Sequence, residues 1–155
     1  MSTHDADSLD IRPSERTDTP AITALLHELG YPANTEEEVS ARLARWSERD
    51  DVLVLVATAG SQVVGVAALT VIPHFVQPGS WGRLAALVVA ADARGLGIGH
   101  RLLASTEQAA LDRGCVRLEI NSSRRRTGAH AFYRSLGYTD FCDQAARFIK
   151  DPATT

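Results

Sequence analysis

The spacing of apolar residues divides the first half of the chain into short elements. Leu9 to Arg12 alternates apolar and polar residues, which predicts a short strand. Two amphipathic helices follow, one from Thr17 or Asp18 to Gly30 and one capped by Thr35 with three glutamates in its first turn. Their apolar stripes are Ile22, Leu25, Leu26 and Leu29 in the first helix, and Val39, Leu43 and Trp46 in the second.

Runs rich in β-branched residues occupy the middle of the chain. Residues 52–56 and 63–69 predict an antiparallel hairpin around turn residues, and Gly65 inside the second strand indicates a bulge or a close backbone approach. After a loop marked by prolines and a glycine, residues 82–89 are almost all apolar. They predict a long strand covered on both faces.

The remainder alternates helix and strand. A glycine-containing turn over 94–99 precedes a helix to about Arg113. After it we predict a strand over 115–120, a short helix from a Thr127 cap to Leu136, and two strands over 138–142 and 145–149. The order β-α-α-β-β-β-α-β-α-β-β predicts an α+β fold, with a mixed, mostly antiparallel central sheet of about seven strands flanked by four helices.

Length and charge narrow the class of protein. The 155 residues fit one domain, and we predict a single domain over 9–150 after a disordered tail over 1–8. A hydrophobic fraction of 45% is that of an ordinary soluble protein. The net charge of -3, with basic residues spread along the chain, argues against a nucleic-acid partner.

Cysteine content and hydropathy bear on the compartment. Cys115 and Cys142 both have apolar neighbours, so we predict buried free thiols in a reducing environment. The polar first ten residues do not resemble a signal peptide, and no apolar run reaches the roughly 18 residues of a spanning helix. These features predict a cytoplasmic protein without a membrane partner.

The turn at residues 94–99 is the first feature with chemical content. Gly95, Gly97 and Gly99 follow Arg94 at the start of a predicted helix. A helix N-terminus presents about four unpaired backbone N–H groups and roughly half a positive charge, and glycines let a bulky anion approach the backbone. The turn therefore suits a pyrophosphate.

Other anion-binding loops fit this turn less well. A P-loop needs Gly-Lys-Ser/Thr at its end, whereas Gly99 is followed by His100 and Arg101. A dinucleotide-binding turn needs a third glycine where His100 stands; Glu119 lies about 20 residues on, as its acidic residue would, but a hairpin precedes the turn rather than a βαβ repeat. A strand-to-helix turn without a ligand stays open on spacing alone.

Two motifs in order carry a family resemblance. Residues 87–89 with 94–103 resemble the acyl-CoA signature R/Q-x-x-G-x-G/A of the GNAT superfamily of N-acyltransferases. The stretch 129–138, which contains Phe132-Tyr133 and ends in Gly137-Tyr138, is similar to the second superfamily motif, F-Y-x-x-x-G-F/Y. The predicted element order also matches, so the resemblance implies a GNAT-like fold over nearly the whole chain.

The resemblance implies a set of contacts to acetyl-CoA as co-substrate. Strand backbone would pair with the pantetheine arm at Leu87, Val88 and Val89. Turn amides would hold the pyrophosphate at Arg94, Gly95, Leu96, Gly97, Ile98, Gly99 and His100. Asn121, Arg126 and His130 complete the predicted cofactor contacts, and we predict no metal ligand. Arg126 takes the place of an asparagine that many members carry about seven residues before the tyrosine.

The implied reaction is attack by a primary amine on the acetyl thioester in a ternary complex. Deprotonating an amine of pKa about 10.4 at pH 7 costs roughly 4 kcal/mol, so a base, a water chain or a desolvating pocket is needed. The resemblance places Tyr133 as proton donor to the thiolate of coenzyme A. A glutamate that many members carry on the long strand is replaced here by alanine, which leaves Glu119, His74 and a water relay as alternatives.

The identity of the acceptor stays open at this level. The loop from Pro73 to Ser80 and the region of Tyr31 and Pro32 would shape its site. A small amine, an aminoglycoside-like polyamine, an amino acid, and a protein N-terminus or lysine are all compatible with the motifs. A homodimer is also compatible. The competing function is a non-catalytic acyl-CoA-binding regulatory module, and a purely structural protein would bind no coenzyme A.

Overall fold

The computed structural model describes residues 8–153. The tail predicted over residues 1–8 lies, apart from Ser8, outside the described residues. The α-helices and strands are, in chain order, β1 (Leu9–Pro13), α1 (Thr19–Leu29), α2 (Glu36–Ser47), β2 (Val52–Ala59), β3 (Gln62–Pro73), β4 (Ser80–Val89), α3 (Ile98–Asp112), β5 (Cys115–Ile120) and α4 (Thr127–Ser135). Short 3₁₀ turns precede α1 and follow β4.

The strands form one mixed sheet in the order β1-β2-β3-β4-β5. The first three junctions are antiparallel, and β4 and β5 are parallel because α3 carries the chain from one to the other. The predicted α+β class and its four helices are confirmed within the described part of the chain.

The prediction of about seven strands is wrong, because the described chain has no strand after β5. Local turns occupy the backbone where the sixth strand was predicted: the amide of Cys142 donates to Asp140 Oδ1 at 3.0 Å, and the amides of Gln144 and Ala145 donate to the Phe141 carbonyl. An alternating pattern forms a strand only when a neighbouring strand pairs with it. In the predicted last strand, over 145–149, Phe148 is almost fully exposed.

The described residues form two compact units, 8–121 and 122–153. The first contains the sheet with α1, α2 and α3, and the second contains α4. Cys115, in the first unit, is buried as predicted, and burial raises the pKa of its thiol. The burial predicted for Cys142 is wrong, because this cysteine lies exposed beside the Asp140 turn.

Two hydrophobic clusters cover the two faces of the sheet. On one face α1 and α2 pack against the strands through Ile22, Leu25, Val39, Val56, Val66 and Val88. On the other, α3 contributes Ala110, which packs with Leu69, Cys115 and Leu118. The long apolar strand predicted near 82–89 is therefore covered on both faces, as expected.

Irregular pairing at Gly65 follows from the contacts of its backbone. Ala57 pairs with Gly65 but Thr58 pairs with Val63, so Val64 is an additional residue in β3. A Cβ at position 65 would lie 3.3 Å from both Leu102 Cδ2 and the Val88 carbonyl oxygen. The bulge and the close approach predicted at Gly65 are both confirmed.

A second bulge lies in β4. Leu84 pairs with Leu69 and Ala86 pairs with Ala68, which leaves Ala85 as an additional, exposed residue. Because side chains alternate along a strand, one inserted residue exchanges the faces of everything after it. Such a bulge bends its strand, which places the bend of β4 at Ala85.

An ion pair between buried Asp18 and partly exposed Arg12 fixes the entry to α1. Asp18, 5% exposed, accepts hydrogen bonds from Arg12 Nη1 at 2.8 Å and Nη2 at 2.9 Å, and from the Glu15 amide at 2.7 Å. The hydrogen bond from Arg12 is the largest influence on Asp18, and the pKa of this carboxyl lies below its usual value. The stability that the ionised carboxylate contributes is therefore complete above its unfolded-state pKa and is lost as the pH falls through the lower, folded-state pKa.

We expect Asp18→Asn to lower the free energy of unfolding at pH 7 by about 1–2 kcal/mol, because it removes the charge that pairs with the partly exposed Arg12 guanidinium. Urea denaturation at pH 7 and pH 3 measures the effect, and the difference from wild type should shrink at pH 3. Asp51→Asn removes the partner of Arg49 in an exposed pair and should leave the midpoint unchanged. Equal losses at both pH values would contradict the assignment to charge.

Candidate functional site

The parallel junction between β4 and β5 opens along its length. Pairing extends from Ser80 opposite Cys115 to Leu84 opposite Ile120, whereas β4 continues to Val89. On its other side, β4 stays paired with β3 as far as Val89. The backbone of residues 85–89 therefore has no strand partner on the β5 side among the described residues, and an extended molecule could pair with it there.

Just beyond this open edge lies the glycine turn. Gly95 and Gly97 have φ values of 82° and 76°, in the left-handed region where glycine is favoured, and a Cβ at either would meet no atom within 4 Å. Gly97 is the N-cap of α3 without a side-chain cap. The predicted turn between a strand and a helix is thus present, with open space above its backbone.

Backbone donors are concentrated at the start of α3. The first i to i−4 hydrogen bond of the helix runs from the Arg101 amide to the Gly97 carbonyl at 3.1 Å. The amides of Ile98, Gly99 and His100 precede this bond, at the positive end of the helix dipole. Ile98, Leu102 and Leu103 are buried, which fixes the helix start on the sheet.

Arg94 joins the turn to the end of β4. Its Nε donates to the Val89 carbonyl at 3.2 Å, while the residue remains exposed. Leu87 and Val89 are half-buried, Val88 is buried, and Leu96 and His100 are exposed. The structure therefore brings all the residues predicted for the pantetheine arm and the pyrophosphate onto one strand end and the turn that follows it.

Glu119 lies opposite Arg83 in the β4–β5 register, and its Oε1 accepts from Arg83 Nη2 at 3.3 Å. Both side chains are partly exposed. The pair occupies one of the carboxylate oxygens of the residue predicted as a possible base. Asn121 follows directly after β5 and is exposed.

The second unit holds Tyr133 on α4. Its ring packs against Phe132, with centroids 5.6 Å apart, and against Tyr138 at 6.0 Å. Burial raises the pKa of the Tyr133 phenol, and the positive charge of Arg126 opposes this more weakly. The phenol is therefore protonated across the neutral range.

Arg126 and His130 lie one helical turn apart in the same unit. Arg126 is the N-cap of α4, and its carbonyl accepts from the His130 amide at 3.1 Å. Thr127 is consequently the first helical residue and not the predicted cap. Gly137, with a φ of 90°, ends the helix region as expected.

Sequence reasoning did not identify Trp81 as a site residue. Its ring stands edge-on to that of His74, with centroids 4.9 Å apart and planes at 86°. The sequence could have indicated Trp81, because it lies two residues before Arg83 on the same strand and such residues share a face of the sheet.

The open strand edge and the glycine-rich helix start, set in this α+β fold, are those of an acetyltransferase. A family model described as Acetyltransferase (GNAT) family matches residues 19–138, and the chain belongs to this family.

Individual proteins are similar to the chain in sequence or in fold. The chain is 33% identical over 142 residues to glucosamine 6-phosphate N-acetyltransferase 1 from Oryza sativa subsp. japonica, which covers 88% of this chain and 84% of that protein. Its fold resembles that of aminoglycoside N-acetyltransferase AAC(6')-Iy in complex with CoA, with a TM-score of 0.82 at 18% identity over 93% and 95% of the two chains. A structure described as a transcriptional regulator from Bacillus halodurans C-125 has the same TM-score of 0.82 at 21% identity, over 92% and 98%.

Between residues 8 and 153, no helix combines the length and apolar character needed to cross a bilayer. In the same part of the chain, no group of three or more His, Cys, Asp or Glu side chains could hold a metal ion.

Proposed function

We propose that this acetyltransferase moves an acetyl group from acetyl-CoA to a primary amine, which attacks the thioester directly in a ternary complex. The observation that carries the proposal is the uncapped α3 N-terminus, with Gly95 and Gly97 in open space, placed next to the unpaired edge of β4. A pyrophosphate needs concentrated donors, and the arm attached to it needs an extended partner. These two features supply both.

The cofactor contacts follow from this arrangement. The amides of Ile98, Gly99 and His100 bind the pyrophosphate together with the turn from Arg94 to Gly97, and the backbone of residues 87–89 pairs with the pantetheine arm. Arg126, His130 and Asn121 are assigned to the remainder of coenzyme A. The coenzyme bound to AAC(6')-Iy, a protein of the same fold, supports the choice of ligand.

The reaction needs two proton transfers, one to the departing thiolate and one from the attacking amine. Tyr133 is assigned as the acid that protonates the departing thiolate, because burial raises the pKa of its phenol and keeps the proton in place. At the amine, one Glu119 oxygen is engaged by Arg83 Nη2. We therefore assign removal of the amine proton to a water relay that ends at Glu119, the carboxylate of β5.

Amino sugars are the first acceptors to test. The rice relative is named for glucosamine 6-phosphate, and AAC(6')-Iy for aminoglycosides. Both compounds present primary amines on a sugar. An amino acid and a lysine peptide complete a panel that covers the other acceptor classes compatible with the motifs.

The test is release of free thiol from acetyl-CoA in the presence of each amine, with acetyl-CoA binding measured separately by calorimetry. We expect micromolar binding and turnover with at least one amine. Binding without thiol release for any amine would instead support a regulatory acyl-CoA-binding module. Absence of binding would remove the proposed function altogether.

A further inference from the structure

Three buried polar atoms without a hydrogen-bond partner among residues 8–153 lie at one end of the β3–β4 hairpin. They are His74 Nε2, Trp81 Nε1 and Arg83 Nε, and we call these three residues the donor cluster. A buried donor that lacks a hydrogen bond costs about 1–3 kcal/mol, so native proteins retain few of them. Three such atoms at one end of a hairpin call for a partner from outside the chain.

The backbone gives the donor cluster a defined arrangement. Trp81 and Arg83 are two residues apart on β4, so their side chains leave the same face of the sheet about 7 Å apart along the strand. His74 lies in the loop between β3 and β4, where its amide donates to the Gly79 carbonyl at 3.1 Å. Its ring stands edge-on to Trp81 with centroids 4.9 Å apart, which joins the loop to the strand.

The chemistry of these atoms selects the ligand. Indole N–H and guanidinium N–H groups donate and cannot accept. His74 Nδ1 lies 3.3 Å from Gln77 Nε2 and 3.4 Å from the Pro78 carbonyl oxygen. In the tautomer in which Nδ1 accepts from Gln77, Nε2 is a third donor of the cluster. Arg83 donates to Glu119 through Nη2, and its Nε–H takes no part in that ion pair. A group with several acceptor oxygens and negative charge, a carboxylate or a phosphate, satisfies such a set.

The position of the donor cluster along β4 indicates that its ligand belongs to the acceptor substrate and not to coenzyme A. The donor cluster precedes the bulge at Ala85, whereas the edge open to the pantetheine arm begins after it. Arg83 and Val89 are six residues apart, roughly 20 Å of strand, which is too far for one small anion to serve both sites. We propose that the donor cluster binds an anionic group carried by the amine substrate; this rests on the proposed function and adds to it the substrate class, an amine that also bears a carboxylate or phosphate.

Binding of the anion alone tests the cluster without any turnover. The chain has two tryptophans, so Trp46→Phe leaves Trp81 as the single indole fluorophore. We expect its emission to change saturably with inorganic phosphate or with acetate, and the anion that binds tells a phosphate site from a carboxylate site. Arg83→Lys in the same background keeps the charge opposite Glu119 but removes the Nε donor, and should weaken binding about tenfold. No saturable change with either anion, or equal affinity in Arg83→Lys, would overturn the proposal.

Matched substrates provide the second readout. Glucosamine 6-phosphate against glucosamine, and an amino acid against its amide, differ in the anion and in the basicity of the amine, and the comparison with wild type cancels the second difference. We expect the ratio of kcat/KM, anionic over neutral, to fall about tenfold in Trp81→Phe, which retains a ring beside His74, and to stay at the wild-type value in Trp46→Phe. Turnover of both members of each pair with a ratio near one would refute the substrate class and leave the acetyltransferase proposal standing. Turnover of none, with anion binding intact, would refute the proposed function and spare the site.

Discussion

Gly97→Asp is expected to abolish acetyl-CoA binding while the protein stays folded. Gly97 caps α3 with a φ of 76°, and a Cβ there meets no atom within 4 Å, so the side chain fits the available space. Aspartate is one of the residues that tolerate this backbone region. Its carboxylate would stand beside the amides of Ile98, Gly99 and His100, where it repels a pyrophosphate and competes for the same donors. We expect the Kd to rise at least about 100-fold, close to 3 kcal/mol.

Gly97→Asn is the matched control, because it has the same shape and the same backbone preference but no charge. Calorimetry with acetyl-CoA should give a Kd within about tenfold of wild type for Asn and no measurable heat for Asp. Thermal unfolding of both variants separates lost binding from lost structure. If both variants bind with wild-type affinity, the pyrophosphate lies elsewhere; if both lose binding equally, the bulk of the side chain and not its charge causes the loss.

The glycine turn was predictable because its requirements are local. Positive φ values at Gly95 and Gly97 and a helix beginning at Ile98 follow from residue types and spacing within ten positions. Gly65 was predictable for the same reason, since a glycine within an apolar strand indicates a close neighbour. The identity of that neighbour, Leu102 on α3, required the folded chain.

Features that depend on distant partners were not predictable. The segments over 138–142 and 145–149 alternate like strands, but pairing is decided by another edge, and Asp140 instead forms a turn with Cys142. The bulge at Ala85 is invisible in a run of apolar residues, because it is defined by the register against β3. Trp81 contacts the ring of His74, a loop residue seven positions earlier, and this contact depends on the geometry of the hairpin.

The same division applies to the chemistry. Backbone donors at the start of α3 can be inferred from the sequence, whereas the engagement of Glu119 by Arg83 depends on the parallel register of β4 and β5. Because Arg83 occupies one oxygen of Glu119, this carboxylate is less available as a base than the sequence predicts. The general acid, Tyr133, can therefore be tested more directly than the base.

Tyr133→Phe is expected to lower kcat about 100-fold with little change in the affinity for acetyl-CoA. The substitution removes the phenolic proton and retains the ring that packs against Phe132 and Tyr138. General acids contribute roughly 10²–10⁴ in rate, and the low end applies because a thiolate leaves readily. Since burial raises the pKa of Tyr133, its acid form persists as the pH rises, and the wild-type rate should show no loss from this group between pH 6 and pH 9.

Tyr138→Phe serves as the control within the same unit, and we expect its kcat to stay within about threefold of wild type. Steady-state kinetics with the best amine of the panel gives kcat and KM for all three proteins, and calorimetry gives their acetyl-CoA affinities. A general acid acts in the transition state, so the deficit of Tyr133→Phe must fall on kcat and not on the binding of either substrate. A kcat near wild type, or a loss confined to KM, would mean that Tyr133 contributes packing between two aromatic rings and that coenzyme A leaves as an unassisted thiolate.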